Sequence, residues 1–328
     1  MPKNGISKVP HSSDQMTPLM RIVFMGTPSF AVPSLHAIIK AGYAVTGVVT
    51  QPDKPSGRGM ATRPSPVKEA ALGYGIEVFE PKSVRTPEFT AALKSLSPDI
   101  IVVIAYGKIL PKDILGIPPK GCINVHSSLL PGYRGAAPIN WAIINGEKTT
   151  GVCTMLLDEG MDTGDVLLKA QTPILDDETA EGLAQRLSIA GADLIIKTLE
   201  LASKGALTPV KQDNSKASSA PILKKEDCRI DWNKDAVSVY NLIRGVYPWP
   251  GAYTHSGAKV IKIHGGRVAA ESHGDKPGRV ADISRDGITV ACGRGSFIIT
   301  ELQPENKKRM SAFDFIQGYR LKKGDSFE

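Results

Sequence analysis

From Arg21 to His126 the chain alternates short apolar runs with segments of helical character, and this alternation constrains its fold more than any other feature. Residues 21–25 (RIVFM) run into Gly26, a helix-like stretch spans Phe30 to Ala41, Gly42 stops it, and a second apolar run covers Val45 to Thr50. Helix-like Val67–Leu72 then precedes Glu77–Phe79, Glu88–Leu96 precedes Ile100–Ile104, and strand-like Cys122–His126 follows. Short apolar runs separated by helices imply βαβ units, because parallel neighbours need a crossover. The expected class is therefore α/β, with an N-terminal doubly wound, mostly parallel sheet. Further strands are expected at Val152–Leu157 and Val166–Leu168. A long amphipathic helix follows over Thr179–Ala202, and the acidic residues Asp176, Asp177 and Glu178 before it suit a helix N-terminus.

Periodicity stops at residues 203–221 (SKGALTPVKQDNSKASSAP). A boundary is placed there, giving an extension over 1–19, a first domain over 20–205, a linker over 206–224 and a second domain over 225–328. Beyond a helix near Ala236–Arg244, short strands at Lys259–His264, Gly278–Ile283, Ile288–Ala291 and Phe297–Thr300 suggest a small OB-like β-barrel. Charge follows the same division: 20 basic against 19 acidic residues in 1–208 (net +1), and 20 against 14 in 209–328 (net +6). A basic second half suits a polyanion-binding domain, although a merely soluble basic domain is equally consistent. The four cysteines stand far apart without a C-x-x-C pair, and the histidines show no metal-ligand spacing, so neither a disulfide scaffold nor a metal site is expected. No apolar run is long enough for a membrane span and residues 1–19 lack the apolar core of a secretory signal, so a cytoplasmic protein is expected.

Several clusters can carry chemistry. The first turn, Gly26-Thr27-Pro28-Ser29-Phe30, disfavours a dinucleotide site, since Pro28 lacks an N–H where a phosphate cradle needs donors. Asn124 and His126 stand two apart on a strand and so face one way, at the end where α/β sheets bind ligands. An amide beside an imidazole can polarise a carbonyl and move a proton, yet an isolated N-x-H is more often a capped strand end. Asp162 lies in a glycine-flanked turn and gains interest only if it reaches His126. The segment Gln51–Pro66 (QPDKPSGRGMATRPSP) is a long basic loop carrying Lys54, Arg58 and Arg63, expected to be mobile. The tail carries Lys307, Lys308 and Arg309, then Arg320, Lys322 and Lys323, which can meet phosphates or simply face solvent.

Taken in order, these stretches resemble the methionyl-tRNA formyltransferases. The resemblance runs over Phe24–Pro28, Gln51–Pro55 with Gly57-Arg58-Gly59, Pro64–Lys68, Cys122–His126, Ser128–Pro131 with Tyr133–Pro138, and Met161–Asp165. It continues through Asp231-Trp232, Pro248–Gly251 and Lys308–Ala312. It implies a formyltransferase Rossmann-like domain and an OB-like tRNA-binding domain, transferring the formyl group of 10-formyltetrahydrofolate to the α-amino group of methionyl initiator tRNA. It implies Asn124, His126 and Asp162 as the catalytic constellation and Ser128, Leu129, Leu130 and Pro131 as lining the folate site. Arg58, Arg63, Lys307, Lys308 and Arg309 would engage tRNA. No metal or membrane is implied, and a monomer is expected. The chain departs from the family at Met60-Ala61 and Gly132, where many members carry basic residues. Sugar-nucleotide or glycinamide-ribonucleotide formyltransferases and folate-dependent hydrolases share the triplet, but a small acceptor needs neither the basic loop nor the basic second domain. A non-catalytic tRNA-binding protein is disfavoured by the intact triplet.

Overall fold

A computed structural model describes residues 20–56, 61–269 and 274–328. Strand β1 (Arg21–Gly26) leads through a 3-10 turn into helix α1 (Val32–Lys40), and β2 (Ala44–Val49) follows. A short hairpin, β3 (Lys54–Ser56) and β4 (Ala61–Arg63), precedes α2 (Pro66–Gly73), β5 (Val78–Phe79) and α3 (Pro87–Ser95). Then come β6 (Ile100–Ile104), α4 (Lys112–Leu115), β7 (Cys122–His126), α5 (Pro138–Ile144), β8 (Thr149–Leu156), β9 (Val166–Pro173) and the long α6 (Ala180–Ser203). The seven-stranded sheet has the order β5-β2-β1-β6-β7-β8-β9. Strands from β5 to β7 pair in parallel, whereas β8 and β9 join antiparallel. Strand order reverses at β1, the switch point characteristic of doubly wound sheets.

The apolar runs are continuous because the central strands are buried on both faces. In β6, Ile100, Val102 and Ile104 pack with Leu35 and Ile38 of α1 and Ile195 and Leu199 of α6, while Ile101 and Val103 pack with Phe89 and Leu93 of α3. Helix starts follow short polar side chains that accept otherwise unpaired backbone N–H groups. Ser65 accepts from Lys68 N at 3.1 Å, Thr86 from Phe89 N at 3.3 Å and Thr179 from Gly182 N at 3.2 Å.

The second domain contains α7 (Ala236–Gly245), β10 (Ala252–Ser256), β11 (Lys259–Ala269), β12 (Val280–Ser284), β13 (Gly287–Ala291), β14 (Ser296–Pro304), β15 (Met310–Ser311) and α8 (Ala312–Tyr319). Its antiparallel sheet runs β10-β11-β14-β13-β12, with β15 on β14. The last residues span its two edges. Val280 N donates to Asp325 O and Phe327 N to Gly278 O, each at 2.8 Å, while Glu328 and His255 exchange backbone bonds of 2.8 and 2.9 Å. Phe327 is buried beside Trp232, whose indole N–H donates to Thr254 Oγ1 at 2.9 Å.

The two domains are in direct contact. Asp177 accepts from Tyr240 O–H at 2.9 Å, Arg244 donates to the carbonyls of Leu175 and Glu178 at 3.2 and 2.9 Å, and Asn140 donates to Gly245 O at 2.8 Å. The acidic residues before α6 thus have specific partners, with Glu178 also paired to Arg186 at 2.7 Å. Residues 206–224 run across the first domain as a strap: Val210 pairs with Val166, Ser219 bridges Arg134, and Ala220 is fully buried. Among the described residues no helix is long and apolar enough to cross a membrane.

Truncating Phe327 removes an aromatic ring from the core at the point where the tail joins the sheet edges. Phe327→Ala is expected to cost about 3–5 kcal/mol in urea unfolding of the second domain.

Candidate active site

The pleat of β7 divides its side chains cleanly. Ile123 and Val125 enter the core beneath α1 and α6, which turns Asn124 and His126 to the other face. There they meet a cavity of about 580 Å³ outside the carboxyl ends of β6 and β7. Its walls include Val103 and Tyr106 from the end of β6 and the segment after it, Gly135 to Asn140 at the start of α5, and Asp158, Gly160, Met161 and Asp162 after β8. Asn124, His126 and Asp162 all lie on this wall, so the structure unites the three catalytic candidates.

His126 is only 6% exposed, and its Nε2 lies 3.0 Å from the carbonyl oxygen of Tyr133. A carbonyl can only accept, so Nε2 carries a proton and Nδ1 of the neutral ring holds the free lone pair. Nδ1 faces Asp162 Oδ2 at 3.7 Å, beyond a direct hydrogen bond but within strong electrostatic reach. Asp162 Oδ2 is itself held by Gly135 N–H at 2.8 Å. The imidazole is thus aimed by a backbone carbonyl and the carboxylate by a backbone N–H, two partners that no local spacing announces. Ala105, Tyr133 and Asp162 each adopt positive φ, at 47°, 60° and 54°. Such strained backbone clusters at sites where neighbouring structure enforces it. No hydrogen bond to the Asn124 amide is found among the described residues, and the side chain faces the cavity.

The other expected site residues are placed less directly. Ser127 lines the cavity, whereas Ser128, Leu129, Leu130 and Pro131 are not among its wall residues. Ser128 is fully buried and donates to Gly132 O at 2.6 Å. Leu130 packs against Cys153, Met155 and Val166, and its carbonyl accepts from Lys169 Nζ. These four residues form the turn behind His126. Arg58, with Gly57, Gly59 and Met60, lies outside the described residues. Arg63 is exposed at the end of a hairpin whose base is pinned, because Lys68 Nζ bonds both Asp53 and Glu80 at 2.7 Å and Thr50 shares a 2.7 Å bond with Ser65. The described parts of this loop, up to residue 56 and from residue 61, pair as the β3–β4 hairpin. Lys307 and Lys308 are exposed beyond β14. Arg309 is bound to Glu301 and donates to Tyr247 O–H at 3.1 Å, so part of its charge is already compensated.

Burial pushes the thiols of Cys122 and Cys292 up to about 12 and those of Cys153 and Cys228 up to about 11, which leaves them unreactive at neutral pH. No cluster suited to a metal ion occurs among the described residues.

Comparison with known proteins gives this arrangement a class. Residues 20–199 match the formyl transferase family, and residues 222–320 match the formyl transferase C-terminal domain. The fold is shared with an N-formyltransferase from Helicobacter canadensis, at a TM-score of 0.66 and 20% identity over 86% of this chain and 98% of that one. HypX from Aquifex aeolicus, solved with tetrahydrofolic acid, shares it at a TM-score of 0.62 and 18% identity over 94% of this chain and 50% of that one. The methionyl-tRNA formyltransferase of Citrifermentans bemidjiense is 54% identical over 93% of this chain and 95% of its own length. That of Acetivibrio thermocellus is 49% identical over 93% and 99%. The chain belongs to the methionyl-tRNA formyltransferase family.

The Asp162 turn is tightly confined, since a Cβ added at Gly164 would stand 1.8 Å from Leu156 O. Gly164→Ala must move the turn, and displacement of about 1 Å at such a site is expected to lower transfer activity about 100-fold in a fold still native by circular dichroism.

Proposed function

We propose that the chain transfers the formyl group of 10-formyltetrahydrofolate to the α-amino group of methionyl initiator tRNA, yielding N-formylmethionyl-tRNA for translation initiation. The observation that carries the reading is the convergence of Asn124, His126 and Asp162 on one cavity at the strand ends. Family membership supplies both substrates. The apolar wall around Val103, Tyr106 and Leu110 suits a flat folate ring, and the turn from Ser128 to Pro131 backs the histidine beneath it.

Attack of a neutral amine on a formyl carbon creates an oxyanion and a developing ammonium. The unpartnered Asn124 amide is positioned to donate to that oxygen. His126 offers its free Nδ1 lone pair, and Asp162 stabilises the imidazolium formed when Nδ1 accepts the amine proton. The proton can then pass to the leaving folate nitrogen, so bond formation, bond cleavage and proton balance without a covalent enzyme intermediate.

The acceptor stem of a tRNA offers phosphates and shape rather than readable major-groove edges, so basic residues set affinity and its salt dependence. Arg58 and Arg63 of the Gln51–Pro66 segment, with Lys307, Lys308 and Arg309 of the second domain, are assigned to this contact. The division into 20–205, 206–224 and 225–328 then separates chemistry, strap and tRNA binding. Met60-Ala61 and Gly132 remove charge relative to many family members and lower affinity rather than chemistry. On this reading the protein works in the cytoplasm as a monomer.

Formylation is measured with methionyl initiator tRNA beside uncharged tRNA and a small amine acceptor. Transfer only to the charged initiator supports the reading, and transfer to the small amine alone overturns it. Asn124→Ala is expected to lower the single-turnover rate about 100- to 1000-fold at saturating substrates. An undiminished rate removes Asn124 from the mechanism. Arg58→Ala and Arg63→Ala are each expected to weaken tRNA engagement, to lower the salt slope by about 1 and to spare folate binding. Equal loss of folate binding counts against the assignment.

A further inference from the structure

Gln212 lies in the strap between the domains, outside every motif that carries the family resemblance. Its side-chain N–H groups donate to the carbonyls of Asp162 at 2.8 Å and Gly164 at 2.7 Å. Its oxygen accepts from Arg134 Nε at 3.1 Å and Nη2 at 2.8 Å. Both donors and the acceptor oxygen of the amide are thus satisfied, and the orientation is unambiguous. A flipped amide would set an NH₂ against a guanidinium and an oxygen against two carbonyls.

The groups that Gln212 joins are those on either side of the catalytic pair. Asp162 and Gly164 bracket the left-handed turn that presents the carboxylate, with φ of 54° at Asp162. Arg134 lies between Tyr133, whose carbonyl holds His126, and Gly135, whose N–H holds Asp162 Oδ2. Arg134 is tied to the strap independently, through Ser218 O at 2.8 Å, Ala220 N at 2.7 Å and Asn214 Oδ1 at 2.8 Å. The Asp162 turn is held by Gln212 at the carbonyls of Asp162 and Gly164, by Gly135 at its carboxylate, and locally by Thr163 Oγ1 donating to Asp158 at 2.7 Å. Gln212 is the strap side chain among these. It is not on the cavity wall, so it can reach the chemistry only through the groups it holds, the Asp162 turn and the Arg134 segment.

We propose that Gln212 is a positioning residue for formyl transfer, holding the Asp162 turn against the Arg134 segment so that the carboxylate stays opposite His126 Nδ1. The proposal rests on the transferase reading above. It is tested in the full-length protein with Gln212→Met, which keeps volume and removes all four bonds, and Gln212→Glu, which keeps the acceptor for Arg134 but opposes a carboxylate to two carbonyls. Both are expected to lower kcat about 10- to 100-fold, with KM for each substrate within about 3-fold and the thermal midpoint within about 3 °C. In an Asp162→Asn background, Gln212→Met is expected to cost less than about 2-fold more, because the residue acts through the aspartate. The imidazole NMR signals of His126, assigned from their loss in His126→Asn, are expected to shift in Gln212→Met.

Unchanged kcat, an equal loss in both backgrounds, a loss confined to KM or failure of both variants to fold would each overturn the proposal. An unmoved His126 signal would do the same. Wild-type protein inactive on charged initiator tRNA would instead remove the transferase reading, and the His126 signal would still decide whether Gln212 sets the geometry of the pair.

Discussion

Because α1 and α6 cover one face of the central strands and α3 the other, a polar side chain on β6 or β7 can meet a ligand only near the strand ends. This double burial explains why β6 is apolar throughout and why Asn124 and His126 fall at the end of β7. A polar pair deeper in the sheet would lose its hydration without gaining partners, at about 1–3 kcal/mol per unsatisfied group. Placed at the end, the same pair opens into a cavity, and the sheet supplies a rigid base for it.

Rigid placement of the three candidates then depends chiefly on backbone groups. Tyr133 O fixes the imidazole and Gly135 N–H fixes the carboxylate, so two neighbouring peptide units set the spacing of His126 and Asp162. Peptide groups suit this task, since they have less freedom than a side chain of equivalent reach. Their own positions must be held, and the strap does so by exchanging bonds with Arg134 at Ser218 and Ala220. The same backbone contacts carry the positive φ of Tyr133, a conformation that a residue with a Cβ keeps only when its surroundings enforce it.

Much of this architecture was legible in the residues. The strands β1, β6 and β7 stood out because burial on both faces requires unbroken apolar runs, and α6 stood out through its long apolar periodicity. The short α4 and α5 leave little trace in the sequence, since neither has more than about two turns of pattern and α5 begins with a proline in a loop-like context. Strand β10 and the terminal edge-spanning segment carry no sequence signal, because Tyr253 and His255 do not read as a core strand and residues 324–328 pair without any apolar alternation. The three candidate residues Asn124, His126 and Asp162 are visible as residue types in recognisable motifs. Their geometry is not, because Tyr133 and Gly135 act through groups that every residue possesses. Gln212 was hidden for a related reason: an isolated glutamine in a polar, aperiodic segment carries no local signal of its partners.

The contact between the domains bears on how a macromolecular substrate would be handled. On the proposed function, a fixed distance between the domains would let a tRNA body on the second domain present its aminoacyl end to His126. Arg244 is 5% exposed and donates to the carbonyls of Leu175 and Glu178 and to Asn241 Oδ1, which satisfies a buried guanidinium through neutral acceptors. Burial lowers its pKa, while the nearby acidic residues before α6 oppose that effect. Severing those bonds would leave a desolvated cation unpaired, so sliding of α7 past the start of α6 is strongly disfavoured. Asp177 with Tyr240 and Asn140 with Gly245 fix the same junction at two further points. The strap begins at the end of α6, and its Pro221 carbonyl accepts from Trp141 Nε1 of α5 at 2.8 Å. The elements that orient Asp162 and those that orient the second domain meet at α5, where Ala137 N also donates to the strap carbonyl of Ala220 at 3.1 Å and Asn140 donates to Gly245 O.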